Sequence, residues 1–164
     1  PSYLRTHPLS YERIADIQSR AQSLPYRQVP DSLEFQLIRA KLRASFDPPR
    51  EAIQFFEQSL SERKFLSEEA ARYGLVVSLL RARETARARK ELQALRASGR
   101  SSPVIETLAC RVLVSAGEDA AAQACYRQAL KAYPNYRALV YDYAEALLQR
   151  RQAEAALKLV EERL

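Results

Sequence analysis

The sequence predicts an all-α protein, a solenoid of helical hairpins preceded by a connector helix, and three observations predict it. First, Ala88, Ala122 and Ala156 lie 34 residues apart, and the same offset links Leu79 to Leu113 to Leu147, Val76 to Cys110 to Ala144, and Leu92 to Tyr126 to Val160. Second, glycine occurs only three times in 164 residues, while the dominant alanine, leucine, arginine and glutamate lose little freedom in a helix. Third, apolar residues recur at helical spacing and are broken by turn signals. A fixed period of this size marks a repeat array, in which a unit too small to bury its own apolar face is covered by its neighbours.

The elements follow in order. Residues 1–30 stand outside the period and read as the tail of a preceding domain: an irregular opening, then a connector helix over 10–24 with Ile14, Ile17, Ala21 and Leu24 along one side. Pro25 and Pro30 bracket a linker, because proline restricts both itself and the residue before it. Residues 31–164 hold about four helix pairs. Asp31 or Ser32 caps the first helix, over 33–46; Asp47-Pro48-Pro49 turns; and Ala52, Phe56 and Leu60 lie inside the second. Ala52 sits 36 residues before Ala88, which places a two-residue insertion at Lys64-Phe65-Leu66. In the third pair, 104–116 and 120–132 flank a turn at Gly117-Glu118-Asp119, Pro134 ends the pair, and Ser102-Pro103 is a helix start. Serine oxygen caps free backbone amides, and proline suits a first position whose amide has no partner. Asn135 is the expected cap of the fourth pair. Leu157, Val160 and Leu164 are left with no following repeat, so the reading expects another chain or further sequence to cover them.

Gly117, Ala122, Tyr126, Ala129 and Pro134 resemble the turn glycine, small packing residue, aromatic, second small residue and closing proline of the tetratricopeptide repeat (TPR) family. Arg83 and Arg151 stand where that pattern has the turn glycine, Arg163 where it has a small residue, and the chain has no tryptophan. The resemblance implies a right-handed stack whose first helices line a concave, protein-binding surface. By register that surface carries Tyr73, Val77, Arg81, Thr107, Arg111, Tyr141, Glu145 and Leu148. Aromatic and arginine side chains suit protein anchoring, since each joins apolar area to directed polar groups. Alternatively, Val77 and Leu148 are core residues and the tyrosines ordinary half-buried ones. The TPR clamp for acidic chaperone C-termini is not expected, because Tyr73, Val77, Arg111 and Glu145 do not supply convergent cations and amides.

The stretch Tyr3-Leu4-Arg5-Thr6-His7-Pro8, followed by Arg13-Ile14, resembles the segment that closes the peptidase domain of periplasmic zinc metallopeptidases of the BepA (YfgC) type, in which a TPR domain follows. The resemblance implies that this chain is the C-terminal part of a protease-chaperone whose upstream domain bears an H-E-x-x-H zinc helix. It implies a periplasmic, bacterial setting and protein partners: outer-membrane clients, their assembly machinery, or the protein's own peptidase domain. It also implies that His7 supplements the zinc site; the plainer reading is a loop histidine ordering the turn before Pro8. His7 is the only histidine, so this chain alone cannot present two helical histidine ligands. Zinc is therefore expected in the full-length protein and no cofactor in this segment.

Composition excludes several other classes. There is no apolar run long enough for a membrane span and no signal-peptide order at the start. No carboxylate pair, nucleophile–base set or phosphate-cradling glycine loop supports an enzyme. A scaffold of another envelope system, such as pilus or secretion assembly, is the alternative binding role. The net charge of +6 and the crowding of Arg81, Arg83, Arg87, Arg89, Lys90, Arg96 and Arg100 raise the question of nucleic acid or lipid headgroups, with Arg83, Arg87 and Lys90 on one expected helical face. A solvated outer face is the favoured account, and nucleic acid is not an expected partner. Cys110 and Cys125 lie at comparable heights on antiparallel helices, which leaves a bridge geometrically open. The small-residue position of Cys110 favours a buried free thiol.

Overall fold

The structure, a computed structural model, describes residues 10–22 and 29–163 and falls into two units, Pro1–Pro30 and Asp31–Leu164. In the first, helix α1 (Ser10–Gln22) exposes Tyr11, Ile14 and Ile17, and Arg20 pairs with Asp16 one turn away at 3.0 Å. His7, Leu24 and Pro25 lie outside the described residues, so the zinc-ligand expectation falls there too.

The second unit is all helix among its described residues: α2 (Leu33–Phe46), α3 (Pro49–Ser61), α4 (Glu68–Arg81), α5 (Thr85–Arg96), α6 (Pro103–Ser115), α7 (Asp119–Ala132), α8 (Arg137–Gln149) and α9 (Ala153–Arg163). Helix starts follow from local chemistry. Ser32, Ser67 and Ser102 each accept a hydrogen bond from the backbone amide three residues on, satisfying one of the donors a helix leaves free. Pro49 and Pro103 occupy first positions. The expected Asn135 cap does not form: α8 begins after Tyr136 with no side-chain cap.

Helix ends carry the period into the backbone. Arg83, Gly117 and Arg151 share the left-handed region with φ of 62°, 74° and 58°. At each, the next amide donates back five residues: Glu84 to the Leu79 carbonyl at 2.9 Å, Glu118 to Leu113 at 3.0 Å, and Gln152 to Leu147 at 3.0 Å. This closing pattern satisfies carbonyls that the helix end would otherwise orphan. Arginine thus holds a glycine-type conformation in two of three turns, accepting a steric cost to keep the hairpin geometry. Arg63 ends α3 in the same way, with φ of 54°; the connection that follows, over 62–67, is as long as the one from α5 to α6, over 97–102, so the expected insertion at Lys64-Phe65-Leu66 does not lengthen it relative to the next repeat.

Packing runs between near neighbours along the chain, as in a repeat stack. Phe56 of α3 lies on α4 where Gly74 has no side chain; a Cβ there would meet the ring at 2.2 Å. One repeat on, Leu92 and Leu108 hold the same two positions within one apolar cluster. At the next step they are Tyr126 and Asp142, whose hydroxyl and carboxylate are 2.6 Å apart. A residue of each second helix therefore seats on the first helix of the following pair, with chemistry that changes from step to step.

Two expectations are corrected. Cys110 and Cys125 are bridged, not free, joining α6 to α7 with Cα atoms 5.5 Å apart. Antiparallel hairpin geometry brings the two positions level, and the small-residue site leaves room for a sulfur pair rather than a lone thiol. The first hairpin is also not like the others, because α2 and α3 pack more extensively on α4 than on each other. Between them the Arg43 guanidinium lies 3.5 Å from the Phe55 ring centroid, beside a cavity of about 370 Å³.

Candidate functional site

Three successive first helices, α4, α6 and α8, enclose a cavity of about 360 Å³. Its apolar lining comes from Val77, Leu80, Leu108, Val114 and Ala146, and its polar lining from Arg81, Arg111, Asp142, Glu145 and Gln149, together with Ser45, Ser115 and Tyr126. The arrangement follows from the period: residues at one helical position in successive units must fall side by side.

Asp142 is the electrostatic centre. Its side chain is 14% exposed, and Arg111 approaches Oδ1 with Nε at 3.5 Å while Tyr126 donates its hydroxyl to Oδ2. Burial pushes the carboxyl above the ordinary aspartate range, against the opposing pull of the Tyr126 hydrogen bond and the Arg111 charge. Burial, reinforced by the neighbouring Asp142 charge, likewise raises the Tyr126 phenol, so it remains a hydrogen-bond donor. Tyr126 stacks on Tyr143, with ring centroids 4.8 Å apart. The disulfide underpins both donors, since Cys110 precedes Arg111 and Cys125 precedes Tyr126.

Of the residues predicted to line the surface, the cavity gathers Val77, Arg81, Arg111 and Glu145. Tyr73 and Val77 are buried, at 3% and 6% exposure, so neither presents a free side chain; flanking helices cover them because their positions face the stack rather than its outside. Burial drives the Tyr73 phenol upward. Thr107 is half-buried and donates to the Pro103 carbonyl at 2.7 Å. Arg81 lines the cavity but donates to the carbonyls of Ala44 and Asp47, closing the end of α2, which makes it a structural group as well as a surface one. Tyr141 and Leu148 are exposed, at 57% and 56%, and lie outside the cavity lining. Sequence reasoning missed Asp142 and Gln149. The signal for Asp142 was present: it stands 34 residues after Leu108, and an acid at an apolar repeat position requires polar partners.

The basic stretch is largely committed to partners. Arg87 pairs with Glu57 and Glu84, Arg89 with Glu118, Arg96 with Glu106, and Arg100 with Glu69 at 3.4 Å. Arg83 lies in the turn before α5, not on a face shared with Arg87 and Lys90. Neighbouring repeats thus supply the acids that the local sequence lacks.

The described residues contain no group of three or more His, Cys, Asp or Glu side chains placed to hold a metal ion. No helix among them is long and apolar enough to cross a membrane. No protein-family model matches the chain, and the curated proteins contain no match to it.

Proposed function

We propose that this chain is a protein-interaction module that captures an extended polypeptide segment across α4, α6 and α8, and that it acts by binding rather than by catalysis. The observation that carries this reading is the mixed cavity: an apolar floor next to an Arg111–Asp142 pair and the exposed Glu145. Apolar area accepts a side chain, while charged and amide groups meet the backbone of an extended segment.

In the larger setting, the chain is the C-terminal part of a periplasmic zinc metallopeptidase of the BepA type, binding outer-membrane clients or their assembly machinery. The residues supporting this are Thr6, His7, Pro8, Arg13 and Ile14. The Cys110–Cys125 bridge also suits an oxidising compartment. Zinc in that protein would be held by residues beyond this chain, with His7 as the one histidine contributed here.

The test is fluorescence anisotropy of a labelled, urea-unfolded outer-membrane β-barrel protein diluted into the oxidised chain. Binding in the micromolar range is expected, weakened about tenfold by Glu145→Ala combined with Gln149→Ala, both exposed positions. Equal affinity in the variant with unchanged helicity would remove the cavity as the contact surface.

A further inference from the structure

We infer that the segment captured across α4, α6 and α8 supplies an arginine side chain to the C-terminal end of α4, in the cavity lined by Glu145. This rests on the capture reading and names what the cavity selects. Part of the lining comes from the last turns of four first helices: Ser45 of α2, Leu80 and Arg81 of α4, Val114 and Ser115 of α6, and Gln149 of α8. Helix C-termini present carbonyls and the negative end of the helix dipole, so this end of the stack favours a cation.

The chain itself answers that preference at two helix ends. Arg81 donates to the carbonyls of Ala44 and, at 2.7 Å, Asp47, closing the end of α2. Arg150 donates to the Val114 carbonyl at 3.4 Å, at the end of α6. Ala44, Leu80 and Val114 are spaced by 36 and 34 residues, as are Ala52, Ala88 and Ala122, so the three acceptors are equivalent by register. Each arginine comes from the end of the next first helix, just past the residue equivalent to its acceptor. For Leu80 those places are held by Ser115 and Ala116, and Ser115 shares a hydrogen bond with Thr85 at 2.8 Å. The Leu80 carbonyl accepts the Arg83 amide at 3.0 Å, just as Val114 accepts that of Gly117 at 3.0 Å. A carbonyl oxygen has two lone pairs; at Val114 an arginine uses the second, whereas at Leu80 no side chain among the described residues does.

The charges around the cavity leave one acid over. Arg111 is directed at Asp142, which also feels the Lys41 charge. Arg81 is directed at the end of α2, and Arg150 pairs with Asp119 at 2.7 Å. Glu145 is exposed and accepts only a 3.5 Å hydrogen bond from Gln149; no cation pairs with it among the described residues. A guanidinium suits this end of the cavity better than an ammonium, because its planar fork can bond a carbonyl and a carboxylate together. The apolar floor then takes the side chain next to the arginine.

Fluorescence anisotropy with two labelled peptides of about twelve residues tests the inference. Both are serine- and threonine-rich with one leucine; the first has arginine beside it, the second citrulline, which keeps the shape and loses the charge. The parent should bind the arginine peptide about tenfold more tightly, the lower end of what hydrogen bonds to a charged group contribute. Glu145→Gln should remove most of that preference. Ser115→Arg, at an exposed position, supplies the group from α6 and should leave both peptides equally weak at unchanged helicity. Equal affinity of the two peptides for the parent, or a preference that survives in Ser115→Arg, would overturn the inference. If neither peptide binds while an unfolded outer-membrane β-barrel protein does, the arginine site fails and the capture reading stands; if none of the three binds, both fail.

Discussion

The Tyr126 hydroxyl donates to Asp142 across 2.6 Å, joining the second helix of one hairpin to the first helix of the next. The same two positions are a phenylalanine ring over a glycine at Phe56 and Gly74. A repeat scaffold can therefore change one interhelical contact from apolar to polar without altering the backbone plan, and here the polar version borders the candidate binding cavity. Tyr126→Phe removes the donor and leaves Asp142 with the longer Arg111 contact. The expected cost is about 1.5–3 kcal/mol, the range for hydrogen bonds to charged groups, read from urea unfolding. A loss below about 0.5 kcal/mol would mean that water or Arg111 replaces the hydroxyl.

Asp142 also gives stability a pH dependence whose sign can be stated. Its carboxyl is raised above the ordinary value of 3.8, chiefly by burial, so between that value and its own the folded chain binds more protons than the unfolded one. Its contribution to stability therefore falls as pH rises through this window and is restored on acidification. Urea unfolding of the parent and Asp142→Asn at pH 7 and pH 5 isolates the effect. The parent should gain on the variant at pH 5; a parent that loses ground there would show a lowered carboxyl instead.

Gly74 is required by packing, not by helix propensity. Alanine would favour the helix by about 1 kcal/mol, yet its Cβ would meet the buried Phe56 ring at 2.2 Å, and overpacking of this kind costs about 1–3 kcal/mol. Gly74→Ala should therefore lower the urea midpoint, and the penalty should vanish in a Phe56→Leu background. Equal penalties in both backgrounds would place the strain elsewhere.

How far the sequence could be read depended on whether a property was periodic. The 34-residue offset located Arg83, Gly117 and Arg151 at the turns, and all three adopt the left-handed conformation. The hairpin boundaries followed from serine caps and prolines, which act locally. What the period could not convey was departure from it. Tyr73 was placed on an open surface because Tyr141 holds the same position 68 residues later, but Tyr73 is 3% and Tyr141 57% exposed, since burial depends on what flanks each unit. Asp142 escapes a reading keyed to aromatic and arginine positions, although an acid among apolar equivalents is the sharper signal. The disulfide was legible only as a possibility, because equal height along a hairpin fixes reach, not oxidation.

The left-handed arginines should be improvable. Arg83→Gly and Arg151→Gly remove the clash of a Cβ at positive φ, at some cost in unfolded-chain entropy, for a net gain of about 0.5–1 kcal/mol each. Thermal melts should rise; Gly117→Arg, the reverse change, should lower them. A fall in both arginine variants would mean that the exposed side chains contribute more than the backbone strain removes.

The bridge closes a 15-residue separation, which in a chain-entropy account stabilises by about 3 kcal/mol. Thiol counting in denaturant without reductant should find no free thiol, and reductant should lower the melting temperature of the parent but not of a Cys110→Ala, Cys125→Ala double variant. Two free thiols in the protein as isolated would contradict the bridge.

Photo-cross-linking tests the binding account most directly. A photoreactive residue is placed at Glu145 or Gln149 on the cavity, or at Lys131 on the exposed side of α7, and each chain is illuminated with an unfolded outer-membrane β-barrel protein. The account predicts adducts from positions 145 and 149 and few from 131. Adducts from 131 alone, or equal yields at all three, would contradict capture in the cavity between α4, α6 and α8.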